Sequence, residues 1–97
     1  MYSGVYKITN KINNKSYIGQ SKNIYKRWKE FKSHSYTTNN TYIEQEILEY
    51  GIENFEFQPI EFCYLSLLNN KQKYYIEKYN TLYPNGYNKT KGGNGRQ

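Results

Sequence analysis

Tyr6 and Tyr17 are the side chains in this sequence best placed to take part in a reaction. Each stands in a short strand-like run that carries a glycine, Gly4-Val5-Tyr6 and Tyr17-Ile18-Gly19, with the turn formers Asn10, Asn13 and Asn14 between them. Two such runs joined by turn residues predict a β-hairpin, in a register that pairs Gly4 with Gly19 and Tyr6 with Tyr17. The two phenols then lie side by side on one sheet face, within the ~5 Å of cross-strand neighbours. The glycines leave that face bare beside them, so a bulky substrate such as a phosphodiester can come close to the backbone. A tyrosine with an ordinary pKa near ~10 is a poor base at neutral pH and needs a nearby cation to lower that value.

The charge distribution points to a polyanion as partner. The chain has 97 residues and a formal charge of +6. Residues 1–33 hold eight Lys or Arg against one Glu, 34–70 hold six Glu and no Lys or Arg, and 71–97 hold six basic residues against Glu77. Basic ends can build one anion-binding surface while the acidic middle covers the back. Lys15, Lys22, Lys26, Lys29, Lys89 and Lys91 are the candidate residues for contacting a nucleic acid. The length predicts one small domain with a modest core. Most of the thirteen tyrosines are expected to pack in that core, where their hydroxyls need partners.

One cysteine, Cys63, and one histidine, His34, exclude an internal disulfide and a zinc site of ordinary ligand spacing. Cys63 lies in the apolar run Ile60–Tyr64 and reads as a small core residue, and His34 as a surface residue at a helix end. No stretch approaches membrane-spanning length, and the start of the chain lacks a signal-peptide pattern, so an intracellular, cytoplasmic protein is expected.

The elements that must position these residues follow from periodicity. Ser21 is the expected cap of a helix over about 23–33, with Ile24, Trp28 and Phe31 on one side and Arg27 beside that stripe. A second helix spans roughly 41–50, with Ile43, Ile47 and Leu48 inward and Gly51 as its stop. A strand follows over 54–64, with Pro59 marking an edge or a bulge. The third helix runs from after Ser66 to about Tyr79, with Leu68, Gln72, Tyr75 and Tyr79 as its inward stripe and Ile76 adjoining. Glu77 points about 140° away from Gln72 at roughly 100° per residue. Pro84-Asn85-Gly86 makes a turn, Tyr87-Asn88 adds a short extended piece, and residues 91–97 read as a flexible Gly-rich basic tail or linker after a domain of residues 1–90. The order β-β-α-α-β-α gives an α+β class, a small antiparallel sheet flanked by helices.

Gly4-Val5-Tyr6, Tyr17-Ile18-Gly19, Arg27-Trp28 and the closing Gly86-Tyr87-Asn88, in order and at this spacing, resemble the GIY-YIG nuclease family over residues 2 to about 93. The resemblance implies an endonuclease that hydrolyses DNA phosphodiesters with one divalent cation, Mg or Mn. It casts Tyr6 as general base or relay, Tyr17 as the second phenol near the attacking water, Arg27 as the cation facing the phosphate, and Asn88 as a residue that holds the site together. A homing type, as found in phages and mobile elements, with a separate DNA-reading domain beyond the Gly-rich end, fits this pattern.

Two residues depart from the family pattern. The metal-binding Glu of the family lies three residues before an aromatic-Ile pair, which here is Tyr75-Ile76, so its position is held by Gln72. An amide keeps an oxygen ligand but loses the charge. An inactive or weakened enzyme is expected, whether by alteration or as a natural variant. The second departure is Phe31, where many homing members carry a His. The rival reading is a non-catalytic nucleic-acid-binding domain of the same fold. An ordinary domain with packing tyrosines and solubilising lysines must treat the four ordered motifs as accident.

Overall fold

The computed structural model describes residues 2–33 and 41–93. The element order is β1 (Gly4–Asn10), β2 (Ser16–Ser21), α1 (Ile24–Ser33), α2 (Tyr42–Tyr50), β3 (Phe55–Phe62) and α3 (Leu68–Tyr79), with single 3-10 turns leading into β3 and α3. The α+β class and the order expected from periodicity both hold. His34 and residues 94–97 lie outside the described residues.

Strands β1 and β2 pair in a register different from the expected one. Tyr6 stands opposite Gly19, Ile8 opposite Tyr17 and Gly4 opposite Ser21. The turn causes the difference. Strand β1 continues to Asn10, whose N–H donates to Lys15 O at 2.9 Å, so the connection is the longer loop 11–14, with Asn14 in the left-handed region at φ 64°. The Asn10 and Asn13 side-chain oxygens accept the Ile12 and Lys15 N–H groups and stiffen it. A slip of two residues keeps every side chain on its own face. Tyr6 and Tyr17 therefore still share a face, as diagonal neighbours.

The sheet is antiparallel in the order β2-β1-β3. Opposite β1, Tyr6 faces Pro59 and Val5 faces Glu61, which leaves Ile60 as the extra residue of a bulge on an edge strand, as Pro59 predicts. The two sheet faces bury different layers. Tyr6, Ile8 and Tyr17 pack with Ile24, Trp28 and Phe31 of α1, Ile43 and Ile47 of α2, Phe55 and Tyr87. Val5 and Ile18 pack against Ile76 of α3 on the other side.

Helix ends follow local hydrogen-bonding chemistry. Asn23, rather than Ser21, caps α1, since its Oδ1 accepts the Lys26 N–H at 3.1 Å, while Ser21 bonds to the Asn23 backbone. Glu44 reaches back from the first turn of α2 to accept the Thr41 N–H at 2.9 Å. Leu48, expected inward, is 55% exposed because α2 turns Ile43, Glu44 and Ile47 inward instead. On α3 the buried stripe is Leu68, Gln72 and Ile76 at four-residue steps. Tyr79, expected inward, is exposed, and Tyr75 is half-buried with its hydroxyl on Glu61. Cys63 is buried, as expected.

Beyond α3 the chain runs along the free edge of β2. Tyr87 N–H donates to Ser16 O at 2.8 Å, and Asn88 bonds the backbone of Ile18. Within the expected tail, Gly93 N–H donates to the Gln72 side chain at 3.2 Å, so this stretch lies against α3.

Candidate functional site

Tyr6, Tyr17 and Arg27 form one cluster. The two phenol rings sit 6.3 Å apart, and the guanidinium of Arg27, carried by α1, lies near enough to the Tyr6 phenol to pull its pKa down. The face is not the bare floor the glycines suggest. The Tyr6 ring fills the space left by Gly19, where a Cβ would fall 2.3 Å from its Cζ, and α1, α2 and Tyr87 cover the rest, leaving Tyr6 1% exposed.

Burial also reverses the expected acidity. It pushes the Tyr6 phenol up to about 12, although Arg27 pulls the other way. Tyr17 is likewise pushed up, by burial first and then by Tyr6 beside it. Both groups are neutral hydrogen-bonding phenols at neutral pH.

Arg27 has an ordered surround. Its guanidinium lies 4.3 Å over the Phe31 ring, pairs with Glu30 at 3.2 Å, and stands 3.8 Å from the buried Glu44 carboxylate. One edge of Arg27 opens into a cleft of about 340 Å³ lined by Ser21, Lys22, Asn23, Lys26 and Glu30. Two of the six candidate lysines therefore meet Arg27. Lys89 lines a different cleft, beside Tyr42 and Tyr83, while Lys29 and Lys91 are exposed and Lys15 is half-buried at the hairpin turn.

Asn88 and Gln72 meet at a second centre, the backbone of Ile18, one residue from Tyr17. Asn88 accepts the Ile18 N–H at 2.8 Å, donates to Ile18 O at 2.9 Å, and accepts the Thr81 hydroxyl. Gln72 Nε2 donates to the same Ile18 O at 3.1 Å, while its Oε1 accepts the Gln20 side-chain amide at 2.7 Å and the Gly93 N–H. Backbone groups of known polarity lie at both ends of the Gln72 amide, so its orientation is fixed.

The residues present do not fit a divalent cation at this position. Gln72 is neutral and 1% exposed, and its oxygen already accepts two hydrogen bonds. Among the described residues no three His, Cys, Asp or Glu side chains gather into a metal-binding group. Hard divalent cations favour carboxylate oxygens.

Sequence reasoning missed three residues at these centres: Glu44, Gln20 and Thr81. Glu44 is 1% exposed, and its Oε2 has no hydrogen-bond partner, which leaves its charge to Arg27. The capping-box spacing Thr41-x-x-Glu44 was a legible signal for its backbone role. Gln20 and Thr81 act through contacts distant in sequence.

The comparisons with known proteins agree with this fold. The GIY-YIG catalytic domain family matches residues 2–88. A glutamate-to-alanine mutant of the catalytic domain of intron endonuclease I-TevI has the same fold with a TM-score of 0.77 and 30% identity, over 95% of this chain and 97% of that one. The catalytic domain of homing endonuclease I-TevI aligns with a TM-score of 0.73 and 28% identity, over 91% of this chain and 98% of that one. No curated protein sequence matches. GIY-YIG nucleases are generally dependent on divalent metal. With four motif elements and a family match that spans most of its length, the chain belongs to the GIY-YIG family of nuclease catalytic domains.

Proposed function

We propose that this domain is the phosphodiester-cleaving module of a DNA endonuclease of the homing type, with cleavage strongly weakened by Gln72. The observation that carries the reading is the Arg27 guanidinium, near the Tyr6 phenol on one side and open on the other to a cleft lined by Lys22 and Lys26. An attacked phosphate gains negative charge on its non-bridging oxygens, and a guanidinium held in place stabilises that charge without reorganising. Lys22 and Lys26 hold the flanking phosphates, with Lys15, Lys29, Lys89 and Lys91 as further contacts along the strand.

The phenols set the proton chemistry. With Tyr6 pushed up to about 12, only about one in 10⁵ of its side chains is ionised at pH 7. Tyr6 therefore serves as a relay that donates and accepts a proton beside the attacking water, with Tyr17 as its neighbour. Asn88 holds β2 in register beneath them. Sequence specificity is left to a separate DNA-reading domain, and the protein acts in the cytoplasm. Among the described residues no helix is long and apolar enough to cross a membrane.

A second reading, a binding domain that no longer cuts, is favoured by the Gln72 amide, whose hydrogen bonds leave no need for a cation. Nicking of supercoiled plasmid with Mg²⁺ or Mn²⁺ separates the two, comparing this chain with Gln72→Glu over a range of protein concentrations after folding of both is verified. Nicking regained by the Glu variant supports the endonuclease. Two folded proteins that bind DNA and never cut support the binder.

A further inference from the structure

The C-terminal segment builds a second basic cleft, away from Arg27, that the cleavage chemistry does not use. It measures about 540 Å³ and is lined by Tyr42, Gln45, Tyr83 and Lys89, a size within the range of small-ligand sites. The Tyr42 and Tyr83 rings meet edge to face, with centroids 5.8 Å apart, and Lys89 Nζ lies 5.2 Å from the centre of the Tyr42 ring. Tyr83 is 58% exposed, far more than packing between two rings requires.

This aromatic pair is firmly mounted. Tyr42 packs edge to face against the fully buried Tyr87 at 5.3 Å. Tyr83 N–H donates to Asn88 O at 2.7 Å, and Asn88 N–H donates to Thr81 O at 2.9 Å, so a closed loop carries Tyr83 and Lys89 together. Asn88 is itself tied to Ile18 of β2. The cleft is thus one residue removed from an anchor of the candidate site.

We propose that this cleft is a subsite for one unpaired nucleobase and its phosphate. The proposal rests on the reading of the domain as DNA-binding. An exposed ring on a rigid loop offers a base a stacking platform, worth most to a base outside a duplex stack. Lys89 supplies the charge for the phosphate. The carboxylate of Glu46 lies near the Tyr42 hydroxyl, so the phosphate is directed to the Lys89 side. An intact duplex offers no single free ring with an adjoining anion.

The test is binding of the whole chain, at low salt, to a labelled oligothymidylate and to an abasic oligonucleotide of the same length, read by fluorescence anisotropy. The two probes carry the same phosphates and differ in their bases. The expected result is about tenfold tighter binding to the thymidylate, a preference that Tyr83→Ala abolishes and Tyr83→Phe retains, while Lys89→Ala weakens both. Equal affinity of the unaltered chain for the two probes, or a preference that survives Tyr83→Ala, overturns the subsite but leaves phosphate binding and the endonuclease reading intact. Failure to bind either probe also overturns it, and plasmid nicking by Gln72→Glu then judges the endonuclease reading separately.

Discussion

Gly19 stands directly across the hairpin from Tyr6, and a methyl group on it would lie 2.3 Å from the Tyr6 Cζ and 2.4 Å from its Oη. The glycine of the second motif is thus the slot into which the tyrosine of the first motif lies. The ring is enclosed by α1 and Tyr87 and has no room to retreat.

Gly19→Ala should therefore destabilise the fold by about 1–3 kcal/mol, an overpacking cost that exceeds the smaller entropy gain of replacing glycine. Urea unfolding measures it. A change within about 0.5 kcal/mol, the range typical of exposed surface sites, would mean that Tyr6 can leave the slot.

Gln72→Glu should affect stability in a metal-dependent way. The carboxylate cannot donate to Ile18 O, which Gln72 Nε2 now does at 3.1 Å, and it would be buried there with its charge uncompensated. The loss is expected to be about 1–3 kcal/mol in chelator at neutral pH. It should shrink as pH falls from about 6 and be gone by about pH 4, because burial raises the pKa of this Glu in the fold and a protonated Glu can donate again. Added Mn²⁺ should raise the melting temperature of the variant and leave that of the unaltered chain where it was. A variant melting point that ignores Mn²⁺ would remove position 72 from the metal question.

Much of this was legible before any coordinates. Local signals gave the hairpin, the helix at Arg27-Trp28 and the Pro59 bulge, because turn chemistry, helical spacing and a missing N–H act within a few residues. The register was not legible, since it depends on where β1 stops, and Asn10 reads equally well as strand end or turn. Glu44 beside Arg27, the Gln72 bonds to Ile18 and Gly93, and the burial of Tyr6 all join residues far apart in sequence. Motif spacing singled out Tyr6, Tyr17 and Arg27, which the fold brings together, and misjudged their exposure, and with it the direction of the Tyr6 pKa.

Stability should fall in alkali with a share that belongs to Tyr6, beside those of Tyr17, Tyr42, Tyr75 and Tyr87, whose phenols are also pushed up. Its pKa is about 12 in the fold against 10.0 for a free phenol, so folding favours the protonated form. A raised value gives stability that is complete below about pH 10 and is lost as pH rises through about 12, in total on the order of 2–3 kcal/mol for this group. Urea unfolding should be flat from about pH 7 to 9 and weaken above. Tyr6→Phe, which retains the ring, should flatten the alkaline limb. An unchanged limb in that variant would assign the loss to other tyrosines.

Arg27 should separate folding from DNA binding. Glu44 is buried with one oxygen on Thr41 and the other without a hydrogen bond, so the guanidinium at 3.8 Å is what offsets its charge. Arg27→Ala should cost about 1–3 kcal/mol, less than for a fully buried pair because the Arg27 side chain is 24% exposed. Adding Glu44→Gln removes the stranded charge while its oxygen still accepts from Thr41, so the double variant should recover most of the stability. DNA affinity should fall in Arg27→Ala and stay low in the double variant, because nothing has replaced the phosphate-facing cation. Urea unfolding and anisotropy on one duplex give both readouts. A double variant no more stable than Arg27→Ala would show that Glu44 is balanced by other groups, and affinity regained with stability would mean that Arg27 supports the fold rather than the phosphate.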